Sequence, residues 1–276
     1  MAIISAFADE IDPKLEIQMD VCQSHGIRHI DLRSIDSVNV SKFTDKQAKD
    51  YRKQMNGRGF SVPCIGSPLG KIRIDEDLPA HLDLTKRCCE LARMYDAPYV
   101  RIFSFYGPQG GQIADHRGKV MEMLNAMAEI AADADVILLH ENEKAIYGAK
   151  PEGVKDIFAT IRSPHFQGIF DPANFLEENV TPLEAWKDGL AELTQYFHIK
   201  DKVKVEDHTC VPAGEGSGRV GEILADAKAR GYDGYLTLEP HMQQAGQFAG
   251  FTGPERFDRA VAGLKKICEQ IGMNWQ

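Results

Sequence analysis

Long hydrophobic runs are missing from this chain. No apolar stretch in its 276 residues approaches the ~18–20 needed to span a bilayer, so no transmembrane helix is expected. Basic residues are also in deficit. The 32 lysines and arginines against 41 aspartates and glutamates leave a formal charge of −9, which argues against a broad grip on nucleic-acid phosphates. The opening Met1-Ala-Ile-Ile-Ser-Ala-Phe7 carries no basic residue and is too short for a signal segment, so it reads as a first strand and the chain as cytoplasmic. None of Cys22, Cys64, Cys88, Cys89, Cys210 and Cys268 falls in a Cys-x-x-Cys pair; they read as reduced thiols used as small core residues. No Gly-x-Gly-x-x-Gly turn follows the first apolar run, which removes the usual dinucleotide signal. The nearest run, Gly214-Glu-Gly-Ser-Gly218, comes late in the chain. Nothing linker-like or of low complexity divides the sequence, so one domain over 1–276 is expected.

What is present is an alternation. Short apolar runs at 3–7, 28–33, 60–66, 98–104, 136–139, 167–170, 195–199 and 234–238 read as strands. Between them lie amphipathic segments: one opened by Asp12-Pro13 as N-cap and first helical residue, then 44–56, 78–95, 116–134, 151–161, 182–190, 219–230 and 255–271. Strand–helix alternation implies parallel strands with crossover helices, and eight units favour closure into a (β/α)8 TIM barrel over an open doubly wound sheet. The outer helices leave room for a homodimer without requiring one.

In such a barrel the active site lies at the carboxyl ends of the strands. Strand five delivers His140, Glu141 and Asn142; strand six, Asp171 and Asn174; strand seven, His198 and Lys200; strand eight, Glu239 and His241. Singly, each has a plainer reading. Asp171-Pro172 is a common helix-start device, and His198 sits in an apolar run as a core histidine would. Together, Glu141, Asp171, His198 and Glu239 have the composition of a divalent-metal site. Three carboxylates and one imidazole suit Mn²⁺ or Mg²⁺ ahead of Zn²⁺ or Co²⁺. Arg33, Ser67, Lys71, Arg101, Lys144 and Lys200 also fall at strand ends. Arg101 lies inside Val100-Arg-Ile-Phe103, where an unpaired guanidinium is costly, so it is expected to meet a carboxylate or a substrate anion.

Glu141 after its apolar run, Phe170-Asp-Pro-Ala-Asn174, His198-Ile-Lys-Asp201, Pro212-Ala-Gly-Glu-Gly216 and Gly231-Tyr-Asp-Gly-Tyr-Leu-Thr-Leu-Glu-Pro-His241 resemble the xylose-isomerase-like barrel superfamily. The chain is most similar to its sugar isomerase/epimerase branch, which includes ketose 3-epimerases and hydroxypyruvate isomerases. The resemblance spans essentially the whole chain. It implies that Glu141, Asp171, His198 and Glu239 hold one divalent ion and that Glu141 and Glu239 form the acid/base pair. Glu143 is a rival to Glu141, which lies nearer the strand end. Asn174 departs from the 3-epimerases, which tend to have histidine there, and this puts the same hydroxyl contact in question.

The expected chemistry is proton transfer beside a carbonyl on a small sugar or sugar phosphate. One glutamate removes a proton and another returns one, while a divalent ion stabilises the enediolate. His140, Asn142, Lys144, Asn174, Lys200 and His241 join Arg33, Ser67, Lys71 and Arg101 as candidate substrate contacts. A dehydratase of keto-inositol or dehydroshikimate type is the alternative on the same scaffold. An abasic-site endonuclease and a non-catalytic sugar-binding barrel rank below both.

Overall fold

The structure, a computed structural model, describes residues 1–203, 210–243 and 251–276. Eight parallel strands form the central sheet: β1 Ile3–Ala6, β2 His29–Ile30, β3 Cys64–Ile65, β4 Tyr99–Ile102, β5 Ile137–Glu141, β6 Phe166–Phe170, β7 Thr194–Ile199 and β8 Tyr235–Leu238. Their order is β2-β1-β8-β7-β6-β5-β4-β3. The remaining seam, between β2 and β3, is closed by isolated parallel bridges, His29 with Ser61 and Leu32 with Ile65. Hydrogen bonds from Leu32 N to Cys64 O at 2.9 Å and from Gly66 N to Leu32 O at 2.8 Å carry that seam. The expected (β/α)8 barrel is therefore what forms.

β2 and β3 are shorter than the apolar runs suggested. Pro63 sits within the third run and has no N–H to donate, so the ladder there breaks into single bridges although the chain stays extended.

The helices are α1 Leu15–Ser24, α2 Asp45–Gly57, α3 Leu78–Tyr95, α4 Arg117–Asp133, α5 Pro151–Thr160, α6 Pro172–Glu177, α7 Pro182–Ala185, α8 Val220–Ala229 and α9 Pro254–Ile271. Thr44 and Gln47 close a reciprocal capping box on α2, and Asp77 caps α3 through Ala80 N. Three details depart from expectation. α1 begins at Leu15, because the Asp12 carboxylate accepts from Lys14 N at 2.8 Å and the intervening residues form a turn. The segment 182–190 is not one helix: after α7 it runs into a π-type turn, with Gly189 at φ 97°. α6 was not expected and matters most, because it opens at Asp171.

The barrel interior is layered. Cys64, Leu139, Ile169 and Tyr196 form an apolar floor with Tyr99, Ile137 and Tyr235. Above it Asp31, wholly buried, accepts hydrogen bonds from Ser5, Tyr196 and Thr237. The larger core lies between the strands and the helices. All six cysteines are free and buried, and among the described residues no helix is long and apolar enough to cross a membrane.

Candidate active site

Strand alternation decides what enters the barrel mouth, because successive side chains point to opposite faces. On β7, Tyr196 packs on the interior tyrosines while Phe197 packs outward on Phe170 and Trp186, so His198 and Lys200 follow Tyr196 inward. On β5 the same parity sends Leu139 and Glu141 inward. His140 goes outward, with its ring stacked on Phe166 at 6.3 Å and edge-on to Phe158 at 6.4 Å. Burial there depresses the His140 imidazole to about 4, so it is a neutral core side chain away from the mouth.

Four side chains from four consecutive strands converge. Glu141, Asp171, His198 and Glu239, all buried, each offer a ligand atom, and those atoms lie within 4.8 Å of one another. His198 Nδ1 stands 3.1 Å from Glu141 Oε1 and 3.3 Å from Glu239 Oε2. Asp171 divides its oxygens. Oδ1 caps α6 by accepting from Asn174 N at 3.0 Å, which leaves Oδ2 facing the cluster. Asn142 fixes that geometry: its side chain exchanges two hydrogen bonds with the Asp171 backbone, both 2.9 Å, adding a rung to the β5–β6 ladder. The Asn174 amide donates to Glu141 Oε1 at 3.1 Å and to Asn142 O at 2.9 Å.

The arginines surround this set. Arg33 reaches Asp9 at 2.8 Å, Glu239 at 3.0 Å and Glu10 at 3.5 Å. Arg101 meets Glu141 at 3.3 Å and Glu239 at 3.6 Å, as its position inside a strand required. Both guanidinium groups lie over the Phe7 ring, at 4.7 and 4.8 Å from its centre. Gly66 allows this stack, since a Cβ there would come within 2.6 Å of Phe7 and 3.0 Å of Arg33 Cβ. Lys200 lies 2.9 Å from Asp171 Oδ2 and 3.8 Å from Glu239 Oε2.

These charges set one another's protonation. Burial works against the Glu141 carboxylate, but the His198 charge, helped by Arg101, outweighs it and holds Glu141 at about 2. Burial opposes charge on His198 too, yet Glu141 and Glu239 raise it to about 9. Asp171 goes the other way, pushed by burial to about 6 with Lys200 only partly offsetting. Glu239 is held well below the ordinary carboxylate range despite burial, chiefly by Lys200 and His241.

Asp171 Oδ2, His198 Nδ1 and Glu239 Oε2 are buried and make no hydrogen bond of acceptable angle; they meet their neighbours only at ion-pair distance. Buried polar atoms rarely stay unsatisfied. Three inward carboxylates, one imidazole and unmet lone pairs fit a single oxygen-preferring divalent ion. Glu10, Glu239 and His241 make a second acidic cluster, but it shares Glu239 and already holds Arg33, so it is an ion-pair network.

The other sequence candidates divide. His241 reaches the mouth, 3.1 Å from Glu10 and 3.4 Å from Glu239. Lys71 flanks it, bridging to Glu143 at 2.9 Å beside the Phe103 ring. Ser67 is wholly buried and spends its hydroxyl on the Arg101 carbonyl and Leu69 N–H. Lys144 is exposed, beyond the cluster. Glu143, the rival to Glu141, is outside the four-residue set and pairs with Lys71. The sequence reading missed Phe7, Asp9 and Glu10. The strand-end rule applied to the later strands would have found the two acids.

Asp201 explains two of the motifs. Its carboxylate accepts backbone N–H groups of Gly214, Gly216 and Gly218 at 2.8–3.1 Å, so the glycine loop is clamped to the end of β7. A Cβ on Gly216 would lie 2.2 Å from Asp201 Oδ1.

Comparison with known proteins agrees with this architecture. Fructoselysine 3-epimerase of Escherichia coli O157:H7 is 25% identical over 194 residues, covering 67% of this chain and 68% of that protein. A D-tagatose 3-epimerase-like protein superposes with a TM-score of 0.79 at 16% identity, covering 99% of this chain and 98% of that one. The IOLI protein, whose crystal structure carries a zinc atom, gives a TM-score of 0.74 at 16% identity, with 98% of both chains covered. The family model for xylose isomerase-like TIM barrels matches residues 19–267, and the chain belongs to that family.

Proposed function

We propose that this protein is a divalent-ion-dependent isomerase or epimerase that moves a proton beside the carbonyl of a free ketose. The observation that carries the reading is the convergence of Glu141, Asp171, His198 and Glu239 with buried, unsatisfied atoms facing one another. A bound ion, Mn²⁺ or Mg²⁺ by the oxygen-rich donor set, would supply Lewis acidity to the oxygens of an α-hydroxy ketone.

The protein's own groups do the proton work. Glu141 at the end of β5 and Glu239 directly after β8 approach the mouth from different parts of the wall, and both are kept ionised by cationic neighbours. An ionised carboxylate can take the carbon-bound proton; the C–H electrons move into the carbonyl, giving an enediol or enediolate. The other carboxyl, having first taken a proton from solvent, returns that proton to carbon, and exchange of both carboxyls with solvent resets the pair. Return to the opposite face of the same carbon gives the epimer, and return to the neighbouring carbon gives the isomer. The Phe7 ring covers both guanidinium groups at this wall.

The cations at the mouth favour an uncharged substrate over a sugar phosphate. Arg33, Lys71, Arg101 and Lys200 each have a carboxylate within 3.3 Å. A phosphate dianion would have to compete with those pairs and would face Asp9, Glu10 and Glu143 as well. The printed names of the similar proteins, fructoselysine 3-epimerase and D-tagatose 3-epimerase-like protein, name non-phosphorylated compounds and so support a substrate without phosphate.

The test is NMR in D₂O with a panel of ketoses, the protein being loaded with Mg²⁺. Wild type is expected to exchange the proton beside the carbonyl and release an epimer or isomer. Glu141→Gln and Glu239→Gln should each lose at least about 10²-fold. Full exchange in either variant contradicts the two-glutamate mechanism, and an unsaturated or diketo product would assign a dehydratase instead.

A further inference from the structure

The ligand carboxylates keep different company on their two oxygens. Glu141 Oε2 faces Arg101, Glu239 Oε1 faces Arg33 and Arg101, and Asp171 Oδ1 caps α6. Those are the outer atoms. The inner atoms, Glu141 Oε1, Glu239 Oε2 and Asp171 Oδ2, meet His198 Nδ1 and the Lys200 ammonium. An ion could therefore enter while both arginines keep their bonds. Lys200 has no such freedom, because it stands on two of the oxygens the ion would use.

We propose that Lys200 is a placeholder cation: its ammonium neutralises Asp171 and Glu239 in the ion-free protein, and an incoming divalent ion must expel it. This rests on the ion-site reading given above. Two observations support it beyond the distances. Asp171 Oδ2 makes no hydrogen bond of acceptable angle, so Lys200 is its only cationic neighbour at contact distance among the described residues. The backbone at the base of Lys200 is held by Asp201, whose carboxylate takes the glycine-loop N–H groups, so only the side chain has to move. Glu143 lies within electrostatic reach, and an expelled ammonium turning toward it keeps a carboxylate neighbour. There it can also donate to a substrate oxygen, which makes substrate contact by Lys200 conditional on ion occupancy. The arginines carry no such condition.

The consequence is a weakened ion affinity in the wild type. Lys200→Met and Lys200→Gln should therefore bind Mn²⁺ about tenfold or more tightly than wild type. The free-ion signal in electron paramagnetic resonance titrations of chelator-stripped protein gives the affinities. The thermal midpoint of the ion-free variants should fall below wild type, because Asp171 loses its countercharge, and the deficit should shrink once Mn²⁺ saturates the site. Equal or weaker Mn²⁺ binding by the folded variants overturns the placeholder role while leaving the ion site standing. No Mn²⁺ binding by wild type overturns the ion site itself and the proposal with it. If Lys200→Met folds only with Mn²⁺ present, that supports the proposal, and the Lys200→Gln ratio is read as before.

Discussion

Asp31 offers a clean measurement of what the barrel interior costs. Its carboxyl is wholly buried beneath the ligand cluster and accepts from Ser5 at 2.7 Å, from Tyr196 at 2.8 and 2.9 Å, and from Thr237 at 3.1 Å. Burial raises it to about 6 from an ordinary 3.8; the hydroxyl bonds and the His198 charge only partly offset this. The folded pKa lies above the unfolded one, so the folded state binds the proton more tightly. The group then costs nothing below pH 3.8, and the cost grows as pH rises to about 6 and stays constant above. Two pKa units correspond to roughly 3 kcal/mol at neutral pH. Asp31→Asn removes the charge but keeps the shape. Its stability relative to wild type should improve by about 2 kcal/mol between pH 4.5 and pH 7.5, read from urea unfolding of the ion-free proteins. A difference that stays flat with pH would refute the claim that Asp31 is charged and uncompensated at neutrality.

Three further substitutions probe the site walls. Gly66→Ala forces a Cβ against Phe7 and Arg33 and should destabilise by about 1–3 kcal/mol in chemical denaturation. Arg101→Met leaves Glu141 and Glu239 short of a buried countercharge. It should lower ion-free stability by roughly 3–5 kcal/mol, with part recovered when a divalent ion is added, as thermal shift would record. His140→Phe should leave the KM of any identified substrate unchanged, because the ring faces the helices; a large KM change would place it in the mouth after all.

The barrel was legible in the sequence because each strand is a short apolar run bounded by a long amphipathic segment, and that periodicity survives without tertiary information. The four converging residues were legible for a related reason: a carboxylate or imidazole directly after an apolar run has few structural uses. What the sequence hid was facing. Within Val136-Ile-Leu-Leu139 every residue is aliphatic, so nothing marks which parity points inward, and His140 stood beside Glu141 as a candidate substrate contact. Parity counted back from Glu141 would have removed it. Ser67 and Asn142 were placed at the right ends of the right strands, but their roles are set by the Arg101 and Asp171 backbones opposite, which no local pattern encodes. Asp9 and Glu10 were not read as site residues although they follow β1, because their partner Arg33 lies beyond the end of β2, more than twenty residues away in sequence.

The central claim is that Glu141, Asp171, His198 and Glu239 form one divalent-ion site. Metal analysis of chelator-stripped protein after dialysis against Mn²⁺ tests it most directly. The account predicts one ion per chain in wild type, lost in Asp171→Ala and in His198→Ala. Wild-type protein that takes up no Mn²⁺, Mg²⁺, Zn²⁺ or Co²⁺, or variants that bind as well as wild type, would contradict it.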